Sequence, residues 1–534
     1  MRSIRALSCE TILLSLLSIQ GSIARTQQPS SNAPTIRVTS RLVFLDVTVL
    51  DKKGRPVVKG LTKDDFTITD NKKPQRIFSF EAPEIHVVDA NAADDDRAGN
   101  APVTIFVLDL LNSSFDDFGY IRYMVRRYLA AQPEQLNSPA ELMVLGNKSL
   151  EMVQGYTRSK ADLLYALAHV PAALPYKKMN GSFIEERFYQ SIDALEQIAL
   201  QNKGVRGRKN IIWVGHGGPN ISTIGLLSNT VEFLNGYVHD TTNMLVDSRI
   251  SLFVIYPGLK VTGSAIMTSA LEASAVIGDD DPFAGDINFG VFVNETGGNL
   301  FYNRNDIDTE IKQSEELGSE YYTLTYQPPD AEADGKFRRI RVTMRDPSLR
   351  AVTKVGYFSP DKKKEAGPRQ RTVVDMAEAA RSTIPFESLE VTVKDIVRHP
   401  DTGTAEFTVL LSPRNLDWQP ADDGKSQVDL LLAAASLNDH RDFLASKLED
   451  LTLVANNQDA TRLAKTGANW PVTIRIPRKT QSVRFVIETA GNGRTGTVEL
   501  DRKAIDNAPA TPTPEPKLIP QPQKRPSPPA PIQP

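Results

Sequence analysis

Hydrophobic and polar positions along this chain follow two rhythms, and the rhythm changes along the way. From residue 37 to 82 it is that of strands. Leu42 to Leu50 is rich in β-branched and aromatic residues, and Asp65 to Thr69 and Arg76 to Phe80 repeat the pattern. Asp51-Lys52-Lys53-Gly54 and Asp70-Asn71-Lys72 supply the turns. From 103 to 302 strand and helix patterns take turns. Val103 to Asp109 reads as a strand buried on both faces. Ile121, Met124, Val125, Tyr128 and Leu129 share one helix face. Glu141 to Leu145 is the next strand, and Ser159-Lys160-Ala161-Asp162 opens a helix as a capping box. Ile184, Phe188, Ile192, Leu195 and Ile198 mark a longer helix. Asn210 to Val214 and Ser251 to Tyr256 are buried strands, with a helix from Leu226 to Val238 between them. Phe289 to Glu295 is helical and stops at Gly297-Gly298, and Leu300 to Tyr302 is a last short strand. This alternation predicts a parallel, doubly wound, Rossmann-like α/β sheet over 103–302.

After a helix at Ile307 to Leu317 the strand rhythm returns, at Tyr321 to Tyr326, Phe337 to Met344 and Val352 to Phe358, with a hairpin expected around Asp334-Gly335. These strands are too few for a stable sheet of their own. They are expected to join the strands of 37–85, so that the α/β unit is inserted in a β domain whose second part is 318–358; the alternative is two small separate sheets. Residues 359–385 read as a charged linker and a short helix. Short strands over 388–501 (Leu389 to Ile396, Thr404 to Leu411, Val428 to Ser436, Val472 to Ile476, Val483 to Glu488, Gly496 to Leu500) predict a C-terminal β-sandwich. The Pro-rich stretch 508–534 cannot form a core and is expected to be extended or disordered.

Composition narrows the functional classes. A net charge of −3 over 534 residues offers no basic field for nucleic acid. The start reads as a secretory signal, residues 1–24: Arg2 and Arg5, an apolar run from Ile12 to Ile19, then Ser22-Ile23-Ala24 as the cleavage site. Cys9, the chain's single cysteine, lies inside it, so the expected mature protein has no thiol chemistry. No later run is long enough to span a bilayer, and a protein secreted or periplasmic, outside the cytoplasm, is expected.

The candidate chemistry sits where the first α/β strand ends, at Asp109, followed by Leu110-Leu111-Asn112-Ser113-Ser114. In open α/β sheets the crevice beyond the carboxyl ends of the strands is where ligands bind. A carboxylate with neighbouring hydroxyls there can hold a hard cation. The same residue types also cap helices and make turns: Asp109 could cap the next helix, and Asn112 and Ser113 could make turn bonds.

Several segments recur in a telling order: Asp46-Val47-Thr48-Val49, Gly60-Leu61-Thr62-Lys63-Asp64-Asp65-Phe66, the strand ending at Asp109, Arg208-Lys209-Asn210-Ile211-Ile212-Trp213, Thr296-Gly297-Gly298, and Tyr321-Tyr322-Thr323-Leu324-Thr325-Tyr326-Gln327-Pro328. Together they resemble the bacterial VWFA-related family, secreted proteins with a von Willebrand factor A-like domain. The resemblance covers residues 37–358 and does not extend with the same support to 388–500. It implies a Rossmann-like A domain, usually a protein-binding module, and no settled activity. It also implies a metal-ion-dependent adhesion site, built from Asp-x-Ser-x-Ser, a Thr on a second loop and an Asp on a third around Mg²⁺. Asp109 matches the first Asp and Ser113 the last Ser, while Leu111 stands at the middle Ser. Ser182, in Asn180-Gly181-Ser182, is the nearest second-loop hydroxyl, and Gly215-His216-Gly217-Gly218 occupies the place of the third-loop Asp. The site is therefore expected to be degenerate, with Asp109, Ser113 and Ser182 the donors for any Mg or Ca, and Asn112, Ser114, His216 and Asn220 the contacts to a protein partner.

Other chemistries fit less well. His216-Gly217-Gly218 after a strand resembles the oxyanion loop of lipase-like hydrolases, but the chain holds no Gly-x-Ser-x-Gly nucleophile turn. Gly215 to Gly218 could cradle an anion but lacks the Lys-Ser/Thr ending of a phosphate loop. Asp279-Asp280-Asp281 with Asp286 and Asn288 lacks calcium-loop spacing, and Asp94-Asp95-Asp96 reads as solvated. Five Asn-x-Ser/Thr sites, at Asn112, Asn147, Asn180, Asn220 and Asn294, matter only in a eukaryotic secretory route. The expectation is a secreted, non-enzymatic binding or adhesion protein; a structural scaffold of an envelope assembly and, more remotely, a hydrolase are the alternatives.

Overall fold

The computed structural model describes residues 42–511 apart from 89–99, 171–181, 258–281, 284–285, 305, 329–333, 362–367, 422–423, 457–458, 460–461 and 464–465. The expected signal segment, both acidic triplets, Asn180 and Gly181 and the Pro-rich stretch beyond 511 lie outside these residues, as does the side chain of Ser182.

The first strands are β1 (Val43–Leu50), β2 (Phe66–Asp70), β3 (Lys73–Gln75) and β4 (Ile77–Glu81). The α/β unit follows, with β5 (Val103–Asp109), α1 (Phe115–Ala130), β6 (Gln135–Leu145), β7 (Leu150–Ser159), α2 (Lys160–His169) and α3 (Ser182–Gln201). It continues through β8 (Lys209–Val214), α4 (Ser228–Asp247), β9 (Ile250–Pro257), α5 (Phe289–Glu295), β10 (Leu300–Arg304) and α6 (Ile307–Ser319). Then come β11 (Tyr322–Tyr326), β12 (Phe337–Met344), β13 (Arg350–Val352) and β14 (Gly356–Phe358).

Strands from before and after the α/β unit pair with each other, and they do so in two sheets, ordered β13-β1-β11-β4 and β14-β12-β2-β3. Val43 lies opposite Tyr326 and Ile68 opposite Val342. Leu45, Val47, Ile68, Leu324 and Tyr326 form their common core. Because β11 and β12 belong to different sheets, the hairpin expected around Asp334-Gly335 does not form. Asp334 instead accepts hydrogen bonds from Ser359 (2.7 Å) and Arg338 (2.7 Å), tying the start of β12 to the chain after β14.

The α/β sheet has the order β10-β9-β8-β5-β6-β7. Numbered along the chain and read from the β7 edge, this is the 3-2-1-4-5-6 order of doubly wound folds. All its pairings are parallel except β6 with β7, so the sheet is mixed where a parallel one was expected. The strand that changes this, β7, carries Glu151, Gln154, Gly155 and Arg158 on an edge, where one face is wet and apolar alternation is weak. The central strand β5 is buried throughout, and its alternate residues feed two cores. Ile105 and Val107 pack with Trp213, Ile192 and Val238 on the α3/α4 side; Phe106 and Leu108 pack with Ile121, Val125 and Ile311 on the α1/α6 side.

Beyond the unit lie α7 (Pro368–Arg381), β15 (Val391–His399), β16 (Thr404–Leu411), β17 (Gln419–Pro420), β18 (Ser426–Leu437), β19 (Phe443–Ala455), β20 (Ala468–Arg475), β21 (Ser482–Thr489), β22 (Thr495–Asp501) and α8 (Arg502–Asp506). Two antiparallel sheets share one core, in which Phe407 meets Phe485 edge-on at 5.0 Å. Two members are unexpected, the two-residue β17 and the long β19, and in β19 Lys447, Glu449 and Asp450 interrupt the apolar pattern as charges on edge strands do.

One lysine joins these sheets to the α/β unit. Lys203, at the end of α3, pairs with Asp375 on α7 and with Glu488 on β21 (3.2 Å). One ammonium cannot neutralise two carboxylates, and Glu488 is the more buried of them. Burial and Asp375 push its carboxyl up to about 7 despite Lys203. Burial and the acids Asp193, Glu378 and Asp240 likewise raise Glu196 to about 8, against a hydrogen bond from Thr241. A carboxyl raised by folding stabilises most below its unfolded pKa, and that stabilisation is lost as pH rises through the folded value. Thermal and urea unfolding of the chain should therefore show stability falling from pH 5 to 8, Glu488 adding at most about 1.4 kcal/mol per pH unit. Glu488→Gln and Glu196→Gln should each flatten the fall; an unchanged slope in both would refute this assignment.

Candidate functional site

The site is built at the carboxyl ends of β5 and β8. Asp109 closes β5 and is fully buried. Its Oδ1 accepts the backbone N–H of Asn112 (2.9 Å), and its Oδ2 accepts Trp213 Nε1 (3.0 Å) and the backbone N–H of Gly217 (2.9 Å). Asn112 Nδ2 lies 3.1 Å from both oxygens and 3.0 Å from Ser191 Oγ. Burial raises the Asp109 carboxyl above its ordinary range, although Trp213, Asn112 and His216 all favour the charge. Asn112 is held in turn by Arg187, whose Nε donates to Asn112 Oδ1 at 3.0 Å. Asp109, Asn112, Arg187 and Ser191 thus form one buried polar network joining β5 to α3, with the β8 loop pinned on top.

Glycines let that loop come so close. A Cβ at Gly215 would lie 2.4 Å from Asp109 Cβ, and one at Gly217 (φ +67°) would lie 2.6 Å from the Phe289 ring. His216, between them, does not sit at the surface as a plain turn residue would. Its side chain is 8% exposed, its Nε2 lies 3.4 Å from Asp117 Oδ2, and its ring meets Tyr256 edge-on at 4.1 Å. Asp117 also forms the reciprocal capping box of α1 with Ser114. The cap of α1 is therefore Ser114, and Asp109 has no part in it.

The structure brings Asp109, Asn112, Ser114, His216 and Ser113 to one edge, but not as open ligands. Ser114 is spent on its cap, and Asn112 is buried and turned inward. Ser113 Oγ is buried with no hydrogen-bond partner among the described residues, and Asn220 stays half-exposed.

A cation fits this donor set poorly. Carboxylate lone pairs that already face N–H groups cannot face a metal without expelling those donors. The Arg187 guanidinium beside Asn112 adds positive charge where a divalent ion would sit. Among the described residues no three His, Cys, Asp or Glu side chains group as metal donors. Among the described residues no serine hydroxyl bonds His216, whose Nε2 faces Asp117.

Asp46, Thr48, Arg208, Lys209 and Thr296, from the segments that carry the family resemblance, sit at the opposite, amino end of the sheet, where Asp46, Thr48 and Arg208 form a seam with the β sheets. Arg208 is buried and donates to Thr48 Oγ1 (3.0 Å) and Ser251 Oγ (2.9 Å). Lys209 Nζ donates to the carbonyls of Val205 (2.7 Å) and Gly207 (2.9 Å). Asp46 pairs with Arg249, and although burial opposes its charge that guanidinium holds its carboxyl down to about 2. Thr296 Oγ1 accepts Leu252 N–H (3.0 Å) and donates to Phe292 O (2.7 Å), sewing α5 to β9. Sequence reading missed Arg187, Ser191 and Trp213 as members of the site; Arg187 and Ser191 four apart on α3 were the available signal.

No protein-family model matches the chain, and no curated protein matches it. Among solved structures, the conserved hypothetical protein BatB from Bacteroides thetaiotaomicron is similar at 12% identity over 41% of this chain and 98% of its own, with a TM-score of 0.23. The SpRpn10 VWA domain is similar at 13% identity over 41% of this chain and 97% of its own, with a TM-score of 0.22. The fold of the α/β unit is read from its own strand order, and among the described residues no helix is long and apolar enough to cross a membrane.

Proposed function

We propose that this chain is a secreted, non-enzymatic protein-binding module on a von Willebrand A-like α/β unit, working without a metal ion. The observation that carries the reading is the state of Asp109, whose oxygens are filled by Asn112, Trp213 and Gly217. Such a carboxylate serves as the foundation of a loop and leaves nothing to coordinate or activate. The loop it fixes emerges at Asn220, at the carboxyl edge of the sheet, where doubly wound folds meet their ligands. Adhesion to a partner protein outside the cytoplasm is the role we infer, with the C-terminal strands, read as a β-sandwich, serving as its mount.

Two measurements test this. Calorimetric titration with Mg²⁺, Mn²⁺ or Ca²⁺ is expected to give no saturable heat; stoichiometric heat abolished by Asp109→Ala would restore the metal-dependent reading. A photo-crosslinking residue at Asn220 is expected to capture a protein from envelope extract, whereas one at the distant Lys447 is not. Equal capture at both positions would remove the upper edge as the binding face.

A further inference from the structure

Just beyond the pinned glycine loop the chain turns apolar and faces solvent. Ile224 is 87% exposed and Leu227 73%, and Leu226 and Phe233 are exposed beside them. Ile224, Leu226 and Leu227 lead into α4, Phe233 lies in its second turn, and α3 starts at the same edge. Both helices run away from it in parallel, since each leads from the carboxyl side of the sheet toward the amino end of the next strand. Tyr189 of α3 meets Tyr237 of α4 at 5.9 Å. One turn nearer the edge, Glu185 therefore stands above Tyr189 and Phe233 above Tyr237. Ile184 lies one turn above Phe188, which is buried in the core, yet Ile184 itself is exposed. Ile184, Ile224, Leu226, Leu227 and Phe233 thus form an open apolar shelf at the mouth of the α3/α4 core.

The charges around this shelf select its occupant. Glu185, Glu186 and Glu232 are exposed on the same two helices, and exposed Asp286 accepts from Ser222 Oγ at 2.9 Å beside the loop. No lysine or arginine occurs from Gly215 to Ser248. An acidic rim repels anionic lipid headgroups and would face itself across a two-fold contact between copies. It attracts a surface whose apolar centre is edged by bases.

We propose that this shelf is the docking surface of the partner, and that it takes an amphipathic helix with an apolar stripe flanked by lysine or arginine. The inference rests on the protein-binding reading above and adds the chemistry of what is bound.

The test uses the full chain and a fluorescein-labelled Leu/Lys helix of about five turns, with a Leu/Glu helix of the same pattern as control. Fluorescence anisotropy should show the Leu/Lys helix binding at least about tenfold more tightly than the control. Ile224→Asp with Leu227→Asp should weaken it by about tenfold or more while leaving the melting temperature unchanged, because both side chains are exposed. Glu185→Lys with Glu232→Lys should reverse the preference toward the Leu/Glu helix. Equal binding of both helices, or binding indifferent to the four substitutions, overturns the proposal. So does shelf-dependent binding to phosphatidylglycerol vesicles alone, or a shelf-dependent dimer in light scattering. Capture at Asn220 together with failure of the helix assay would sink this inference and leave the binding function standing; failure of both would sink both.

Discussion

Asp109→Ala is expected to lower the stability of this chain by about 3–5 kcal/mol. A metal ligand at an open edge would cost little to remove from a metal-free protein. Asp109 is different, because its loss leaves Trp213 Nε1, the Gly217 N–H and the backbone N–H of Asn112 buried without their acceptor, and leaves Asn112 Nδ2 with Ser191 Oγ alone. Each unpaired buried donor costs about 1–3 kcal/mol, and loop relaxation recovers part of it. Asp109→Asn keeps one carbonyl oxygen but turns an amide N–H₂ toward some of the same donors, so its loss should be smaller but still measurable. Urea unfolding gives the free energies, and Trp213 fluorescence should shift in both variants because its indole N–H loses or changes its partner. A change under about 0.5 kcal/mol in Asp109→Ala, the size of an ordinary surface substitution, would show that the network does not hold the loop.

Gly298→Ala should be as damaging, at the far end of the same sheet. A Cβ there would lie 1.7 Å from the carbonyl oxygen of Leu252, near the start of β9. No rotamer relieves a backbone contact; β9 and the chain entering β10 would have to part. Gly297, before it, has φ +71°, and its Cβ would sit 2.5 Å from the backbone of Thr353. The expected result is loss of soluble folded protein, or a fall of more than about 3 kcal/mol where some folds. A Gly298→Ala chain with an unchanged melting temperature would contradict the close approach. Gly54→Ala is the control, because nothing lies within 4 Å of its Cβ, and its positive φ alone sets a small cost.

These two positions show what the sequence made legible. Val103–Asp109, Lys209–Val214 and Ile250–Pro257 are buried on both faces, so their apolar runs stand out from any polar surroundings. Leu150–Ser159 and Phe443–Ala455 are edge strands, and there solvent on one side admits Glu, Gln, Lys and Asp. The position of Asp109 and the polar residues after it, at the carboxyl end of a buried strand, was legible from the apolar run that ends on them. The chemistry of that carboxylate was not. Whether a buried carboxylate meets a cation or an N–H depends on Trp213 and Gly217, more than a hundred positions along the chain. The Thr296-Gly297-Gly298 motif also carries the resemblance without bearing on ligands: its residues are small and hydroxylated because α5, β9 and the segment at Thr353 converge there.

The two sheets that draw strands from both flanks impose an order on biogenesis. Asp46 and Thr323 hydrogen-bond although 277 positions apart, so β1, β2 and β4 must wait for β11 and β12 to be synthesised. Closure of the α/β unit brings its two ends together and spares most of the loop-closure entropy that a bare tether would lose. Until then the early strands expose bare hydrogen-bonding edges, and a chain truncated before residue 322 would keep them exposed.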